Sequence, residues 1–374
     1  MHILHVVGAR PNFMKAAPVL SALQRQGVRQ TLVHTGQHYD AIMSDVIFRE
    51  LAIPVPDVNL GVGSGTHAEQ TAQVMVGIER CLGERRPDAL VVYGDVNSTV
   101  AATLAAAKLG IPVAHVEAGL RSGDRTMPEE LNRLVTDRLA TWLFTPSADG
   151  DRNLRAEGVD PQSIWCVGNV MIDTLMRLLP IADSAPLLHD LGIPRPQRYA
   201  LVTLHRPSNV DDDTTLVRVM DALESIAADV PVVFPVHPRT RRRIASRPSA
   251  PVGLTLTEPL SYLQFLALQR DAAVVITDSG GIQEETTFLG VPCLTLRSNT
   301  ERPVTVTLGT NQLVGGDMAR LRALVREVLD GRPKRGVVPP LWDGRAAMRI
   351  ADLLTGGQCT ARSESDCSTS LQPA

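Results

Sequence analysis

Short apolar runs recur along the chain, each followed by a glycine- or acid-bearing turn and then by a stretch with helical spacing. In the first half they are Ile3–Val7, Thr31–His34, Ala89–Tyr93, Pro112–Val116, Trp142–Phe144 and Ile164–Val167. Runs of this length and kind predict buried strands. Between them the period turns helical: through Val19, Leu20 and Leu23, over Glu69–Cys81, over the alanine-rich Thr99–Leu109, and from Met127 onward. A second series begins at Tyr199–Leu204 and continues with Val232–Phe234, Leu254–Leu256, Ala272–Ile276 and Gln312–Val314. Its helices are expected around Tyr262–Gln269, after Gly281 and over Met318–Leu329. Two rounds of strand–helix alternation predict an α/β protein of two doubly wound domains facing each other across a cleft.

The boundaries follow from the punctuation. Residues 1–179 form the first domain, and 180–198, rich in proline and without a period, form the connection. Residues 199–343 form the second domain, and a last helix over 344–355 is expected to pack back on the first. The serine-rich 356–374 predicts a disordered tail. Asn59–Thr66, dense in glycine, predicts a mobile loop. At 374 residues, two domains of middling size are the natural expectation.

Composition narrows the partners. A net charge of −3 gives no reason to expect nucleic acid or an anionic membrane. The five cysteines are scattered, with no Cys-x-x-Cys pair, which argues against a disulfide framework or structural zinc and for a reducing compartment. The apolar run at the start is stopped by Gly8-Ala-Arg-Pro11, too early for a signal peptide, and no stretch is long enough to span a membrane. A cytoplasmic protein is the expectation.

The chemistry gathers where strands end. Thr277-Asp-Ser-Gly-Gly-Ile-Gln-Glu-Glu-Thr286 turns a strand into a helix and presents backbone N–H groups with the positive end of a helix dipole, a geometry that binds phosphate. Glu284 and Glu285 would repel an anion and suit sugar hydroxyls better. Phosphate with a hydroxyl-rich group points to a nucleotide sugar. The loop Gly8–Lys15 is no Gly-x-Gly-x-x-Gly, so the dinucleotide fingerprint is missing, but Arg10 and Lys15 put two cations at a strand end. Asp95 and Glu117 end neighbouring strands, and Glu129 and Glu130 open the next helix. Singly, such acids are helix caps; together, with histidines nearby, they are a set for moving protons.

These stretches resemble the non-hydrolysing UDP-N-acetylglucosamine 2-epimerases, of the glycosyltransferase-B-like fold with two Rossmann-like domains. The resemblance runs from Ile3 to about Leu354 through Gly8–Lys15, Tyr93-Gly-Asp95, His115-Val-Glu-Ala-Gly-Leu-Arg121, Pro128–Arg133, His205-Arg, Pro235-Val-His237, Asp278–Glu285 and Thr300-Glu-Arg-Pro303. It implies Asp95, Glu117, Glu129 and His205 as catalytic residues. It implies Arg10, Lys15, His237, Ser279, Gly280, Gly281, Glu285 and Arg302 as holders of the UDP-sugar, with Phe265 near the uracil. It further implies elimination and re-addition of UDP at C2, no cofactor and no metal, a homodimer, and a place in cell-surface polysaccharide synthesis. The chain departs from the family pattern at Asn12, Tyr39 and Leu260. Four readings stay open: epimerisation of UDP-N-acetylglucosamine, the same reaction on a modified or uronic UDP-sugar, glycosyl transfer, and a non-catalytic nucleotide-sugar sensor, against which the acids and His205 argue.

Overall fold

The computed structural model describes residues 1–36, 41–193, 198–245 and 253–357, with 41–45 as backbone only. The Tyr39 departure and most of the expected tail lie outside these residues. Two compact units result: residues 1–177 with the described part of 340–374, and residues 178–339.

The first unit is built on seven parallel strands: β1 (His2–Val7), β2 (Arg29–His34), β3 (Val58–Asn59), β4 (Ala89–Tyr93), β5 (Val113–Val116), β6 (Trp142–Thr145) and β7 (Ile164–Cys166). Their order is β3-β2-β1-β4-β5-β6-β7, so the winding reverses between β1 and β4. In such sheets loops at the carboxyl ends beside the reversal form the binding edge. One face carries the helices His67–Arg85, Asn97–Lys108 and Pro128–Leu139. Ala101, Ala102, Ala105 and Ala106 are buried there against Leu90 and Val92, and their small side chains let the middle helix sit close to the sheet. The helix Arg10–Arg25 packs against the terminal helix Ala346–Leu354. Asp173 accepts the N–H of Ala346 (3.2 Å) and Ala347 (2.7 Å), capping that terminal helix, and the Trp342 indole donates to the carbonyl of Pro146 (2.9 Å).

The second unit repeats the plan with β8 (Ala200–Thr203), β9 (Val232–Pro235), β10 (Leu254–Thr257), β11 (Val274–Thr277), β12 (Cys293–Thr295) and β13 (Asn311–Leu313). The order β10-β9-β8-β11-β12-β13 puts the reversal between β8 and β11. Val202, Phe234 and Ile276 fill one face with Leu216, Met220, Leu223, Leu321 and Val325. Within 180–198, expected as a connection, Leu188 and Ile193 lie in the core beneath the other face with Leu201 and Val275.

Three expectations need correction. The helix Asp213–Ala227 and the strand β12 stand where the pattern predicted no element. The helix had a legible period in Leu216, Val219, Met220, Leu223 and Ile226; the strand is too short to stand out. The glycine-rich Asn59–Thr66 is not a free loop, because Leu60, Val62 and Gly63 donate to the carbonyls of His34, Thr35 and Gly36, each at 2.9 Å, and Gln70 holds the carbonyl of Gly63. Cys81 and Cys293 are free and buried.

Candidate active site

In the first unit β4 ends at Tyr93, and Gly94 turns the chain at φ +62° into Asp95. The next strand, β5, ends at Val116 and leads straight into Glu117, whose φ is +76°. A residue with a side chain holds that conformation at a cost of about 1–3 kcal/mol, and such strain gathers at functional positions. The Glu117 carboxylate is buried and ion-paired with the Lys15 ammonium. Both press against Gly94: a Cβ there would lie 2.7 Å from Lys15 Nζ and 3.1 Å from Glu117 Oε2, so only glycine fits.

Asp95 has its own cation. Arg133, buried on the Pro128–Leu139 helix, donates Nη1 to Asp95 Oδ2 at 2.5 Å and Nη2 to Glu130 Oε2 at 2.5 Å. Burial would raise the Glu130 carboxyl, but the Ser122 N–H and the Arg133 guanidinium outweigh it and hold the group below its ordinary range. Glu129, one residue earlier, faces solvent. Asn12 shows what the departure from the family pattern does. Its carboxamide accepts the N–H of Gly8 (3.1 Å) and Ala9 (3.0 Å) and donates to the carbonyl of Tyr93 (2.7 Å), a donor role no carboxylate could fill. Arg10 is half-buried at the start of the same helix.

In the second unit the strands flanking the reversal deliver His205 and Asp278. The fully buried Asp278 carboxylate accepts the backbone N–H of His205 (3.1 Å) and Arg206 (3.0 Å) and the Asn209 amide (2.9 Å), and pairs with His205 Nδ1 at 2.9 Å. Burial pushes this carboxyl up, and the bonds and charge of His205, with Asn209, bring it below its ordinary range. With Nδ1 committed to Asp278, the half-exposed imidazole is oriented to offer Nε2 outward, the arrangement of a proton-transfer histidine.

Ser279 caps the Gly280–Leu289 helix in extended conformation without a side-chain bond to it. A Cβ on Gly280 would come within 2.3 Å of Arg302 Nη1 and 2.7 Å of Glu301 Oε1, so the glycine admits the guanidinium to the helix start. Arg302 is held there by Glu284 (Nε to Oε1, 3.0 Å) and Glu301 (2.5 Å), and Glu301 also pairs with Arg297 at 2.6 Å. Burial alone would raise Glu301; Arg302 and Arg297 push it far below its ordinary range. Glu285 is buried and accepts the Tyr262 hydroxyl at 2.8 Å. Phe265 is half-buried beside Leu260, the other departure, which packs into the same core. His237 is exposed at the end of β9, the carboxyl edge that also carries His205 and Ser279.

The predicted residues therefore fall into two groups, one in each unit. Lys15, expected on the nucleotide, is the partner of Glu117. The linear pattern gives no partner to Arg133, Asp278 or Asn12, although all three stand inside the motifs; each acts on a group distant in the chain, and spacing does not report that. Among the described residues, no group of three or more His, Cys, Asp or Glu side chains could hold a metal ion, and no helix is long and apolar enough to cross a membrane.

Two parallel sheets of like winding, with acids at the edge of one and an arginine-backed helix start at the edge of the other, define a glycosyltransferase-B-like nucleotide-sugar enzyme. A family model described as UDP-N-acetylglucosamine 2-epimerase matches residues 21–355, and the chain belongs to that family. It is 40% identical over 367 residues to a UDP-N-acetylglucosamine 2-epimerase of Methanocaldococcus jannaschii, covering 96% of this chain and all of that one. It is also 40% identical over 358 residues to a UDP-2,3-diacetamido-2,3-dideoxy-D-glucuronate 2-epimerase of Pseudomonas aeruginosa, covering 95% and 99%. The crystal structure of the Methanocaldococcus jannaschii UDP-GlcNAc 2-epimerase in complex with UDP-GlcNAc and UDP matches with a TM-score of 0.88, at 39% identity, over 96% of this chain and 100% of that one.

Proposed function

We propose that this enzyme interconverts UDP-N-acetylglucosamine and UDP-N-acetylmannosamine by anti-elimination of UDP to 2-acetamidoglucal and re-addition with the C2 proton returned to the opposite face. The sugar has no carbonyl to acidify C2, so loss of the proton must be coupled to departure of UDP. That requires a base, an acid and charges to receive pyrophosphate. The observation that carries the reading is the pair Asp95 and Glu117, at neighbouring strand ends, each paired with its own cation. In this reading Asp95, Glu117 and Glu129 move protons with His205. Arg10, Lys15, His237, Phe265, Ser279, Gly280, Gly281, Glu285 and Arg302 serve the UDP-sugar.

A second substrate has a specific observation behind it: the diacetamido-uronate relative is as similar as the first. Incubation with each UDP-sugar in deuterium oxide, watched by NMR at the anomeric proton, tests both. Epimerisation of one with deuterium entering C2 supports the reaction and selects the substrate; no change in either, or epimerisation with C2 hydrogen retained, overturns it.

The resemblance also carries a homodimeric, cytoplasmic enzyme, and both are part of the proposal. Leu131, Val135 and Leu139 form an exposed apolar stripe along the Pro128–Leu139 helix, a surface suited to a second copy. Free Cys81 and Cys293 agree with a reducing compartment. Sedimentation of the parent against Val135→Glu, and cell fractionation, test the two statements.

A further inference from the structure

We infer that the buried pair His115–Asp137 is a positioning device that sets the acids of the first unit against one another. This rests on the proposed reaction and adds residues to it. His115 stands on β5 and Asp137 on the Pro128–Leu139 helix, and both side chains are sealed from solvent. His115 Nδ1 is hydrogen-bonded to Asp137 Oδ1 at 2.6 Å, and Nε2 to the carbonyl of Gly94 at 2.8 Å. The other Asp137 oxygen accepts the N–H of Gly119 at 3.1 Å and Arg121 Nη1 at 2.7 Å. Arg121 is in turn gripped by Glu157 through two bonds of 2.7 Å.

The destinations of these bonds separate positioning from ordinary core pairing. Gly94 is the residue before Asp95. His115 and Gly119 stand two residues on either side of Glu117, and both are fastened to the same carboxylate, so the strained φ of Glu117 is bracketed at both ends. A backbone conformation of that cost persists only where its surroundings over-determine it. Asp137 rides on the helix that also carries Arg133, the partner of Asp95. One hydrogen-bonded pair thus touches the Asp95 turn, the Glu117 turn and the helix that carries Glu129 in its first turn. Gly119 tightens the arrangement, since a Cβ there would lie 2.5 Å from the carbonyl oxygen of Gly150.

Neither residue touches the reacting atoms in this account, so the test must read geometry apart from binding. His115→Gln places an amide nitrogen near the position of Nε2 and keeps the bond to Gly94. His115→Asn places it near Nδ1 and keeps only the bond to Asp137. With UDP-N-acetylglucosamine as substrate, kcat is expected to fall about 10–100-fold in His115→Asn, the scale of a displaced catalytic group, and to recover in part in His115→Gln. KM and the Kd for UDP should stay within twofold of the parent. Asp137→Asn, which removes the charge but keeps the shape, should behave as His115→Asn and supplies the answer if the histidine variants do not fold. A folded His115→Asn or Asp137→Asn with parental kcat overturns the inference. So does a kcat loss matched by equal loss of UDP affinity, or failure of all three variants to bind UDP. A parent that epimerises neither UDP-sugar overturns the proposed reaction and this inference with it; an active parent with equally active variants overturns the inference alone.

Discussion

Acid should unfold the first unit through His5. This residue sits in the middle of β1, fully buried, and its Nδ1 is hydrogen-bonded to the Tyr93 hydroxyl at 2.8 Å. Burial drives its pKa from the ordinary 6.5 down to about 3, so the imidazole is neutral in the native protein. The unfolded chain takes up the proton first as the pH falls. The stabilisation is therefore complete above 6.5 and is lost progressively as the pH falls towards 3. At about 1.4 kcal/mol per unit, the loss between pH 7 and pH 4.5 is about 2.5 kcal/mol from this one side chain. His2 and His34, also lowered by burial, act in the same direction. Replacing His5 alone would strand the Tyr93 hydroxyl, at about 1–3 kcal/mol. The informative variant is therefore His5→Leu with Tyr93→Phe, compared with the parent by its slope and not its absolute stability. All three tryptophans, Trp142, Trp165 and Trp342, belong to the first unit, so fluorescence-monitored urea unfolding reads that unit directly. The double variant should lose about 2.5 kcal/mol less than the parent over this pH interval. Equal losses in the two proteins would show that His5 does not carry the acid sensitivity.

Three further outcomes follow from the same structure. Asp95→Asn and Glu117→Gln should each cut turnover by about 100-fold while calorimetry finds UDP binding unchanged; near-parental turnover in both removes them from the chemistry. Gly280→Ala should gain up to about 1 kcal/mol in helix propensity yet displace Arg302, lowering UDP affinity by about tenfold (roughly 1.4 kcal/mol); unaltered affinity would mean that Arg302 does not serve the nucleotide. Asp173, raised to about 6 chiefly by burial, holds its proton longer in the folded state than in the unfolded one. Its contribution is present below about pH 4 and lost as the pH rises through 6, at most about 3 kcal/mol. Asp173→Asn should flatten that limb in fluorescence-monitored unfolding, and an unchanged limb would count against it.

Much of this was legible in the chain because parallel α/β domains are written locally. A buried strand is a short apolar run, its helix has a period of its own, and loops at the carboxyl ends carry the ligands. Asp95, Glu117, His205 and Ser279 could be singled out because each stands in the loop just after such a run. What the linear pattern could not say is which way a side chain turns once its helix has docked. Glu129 and Glu130 look alike in sequence, yet docking of the Pro128–Leu139 helix buries the second beside Arg133 and leaves the first in solvent. Lys15 reads as a cation for phosphate, and nothing in the linear pattern says that the sheet also brings Glu117, 102 positions away, against it. Asp278 read as part of a phosphate loop; the reversal between β8 and β11 makes it the anchor of His205, 73 positions earlier. The elements, their alternation and the chemistry offered at strand ends were already written in the order of residues. The partners came from folding, because a buried charge takes whichever opposite charge the packing of distant segments places within reach.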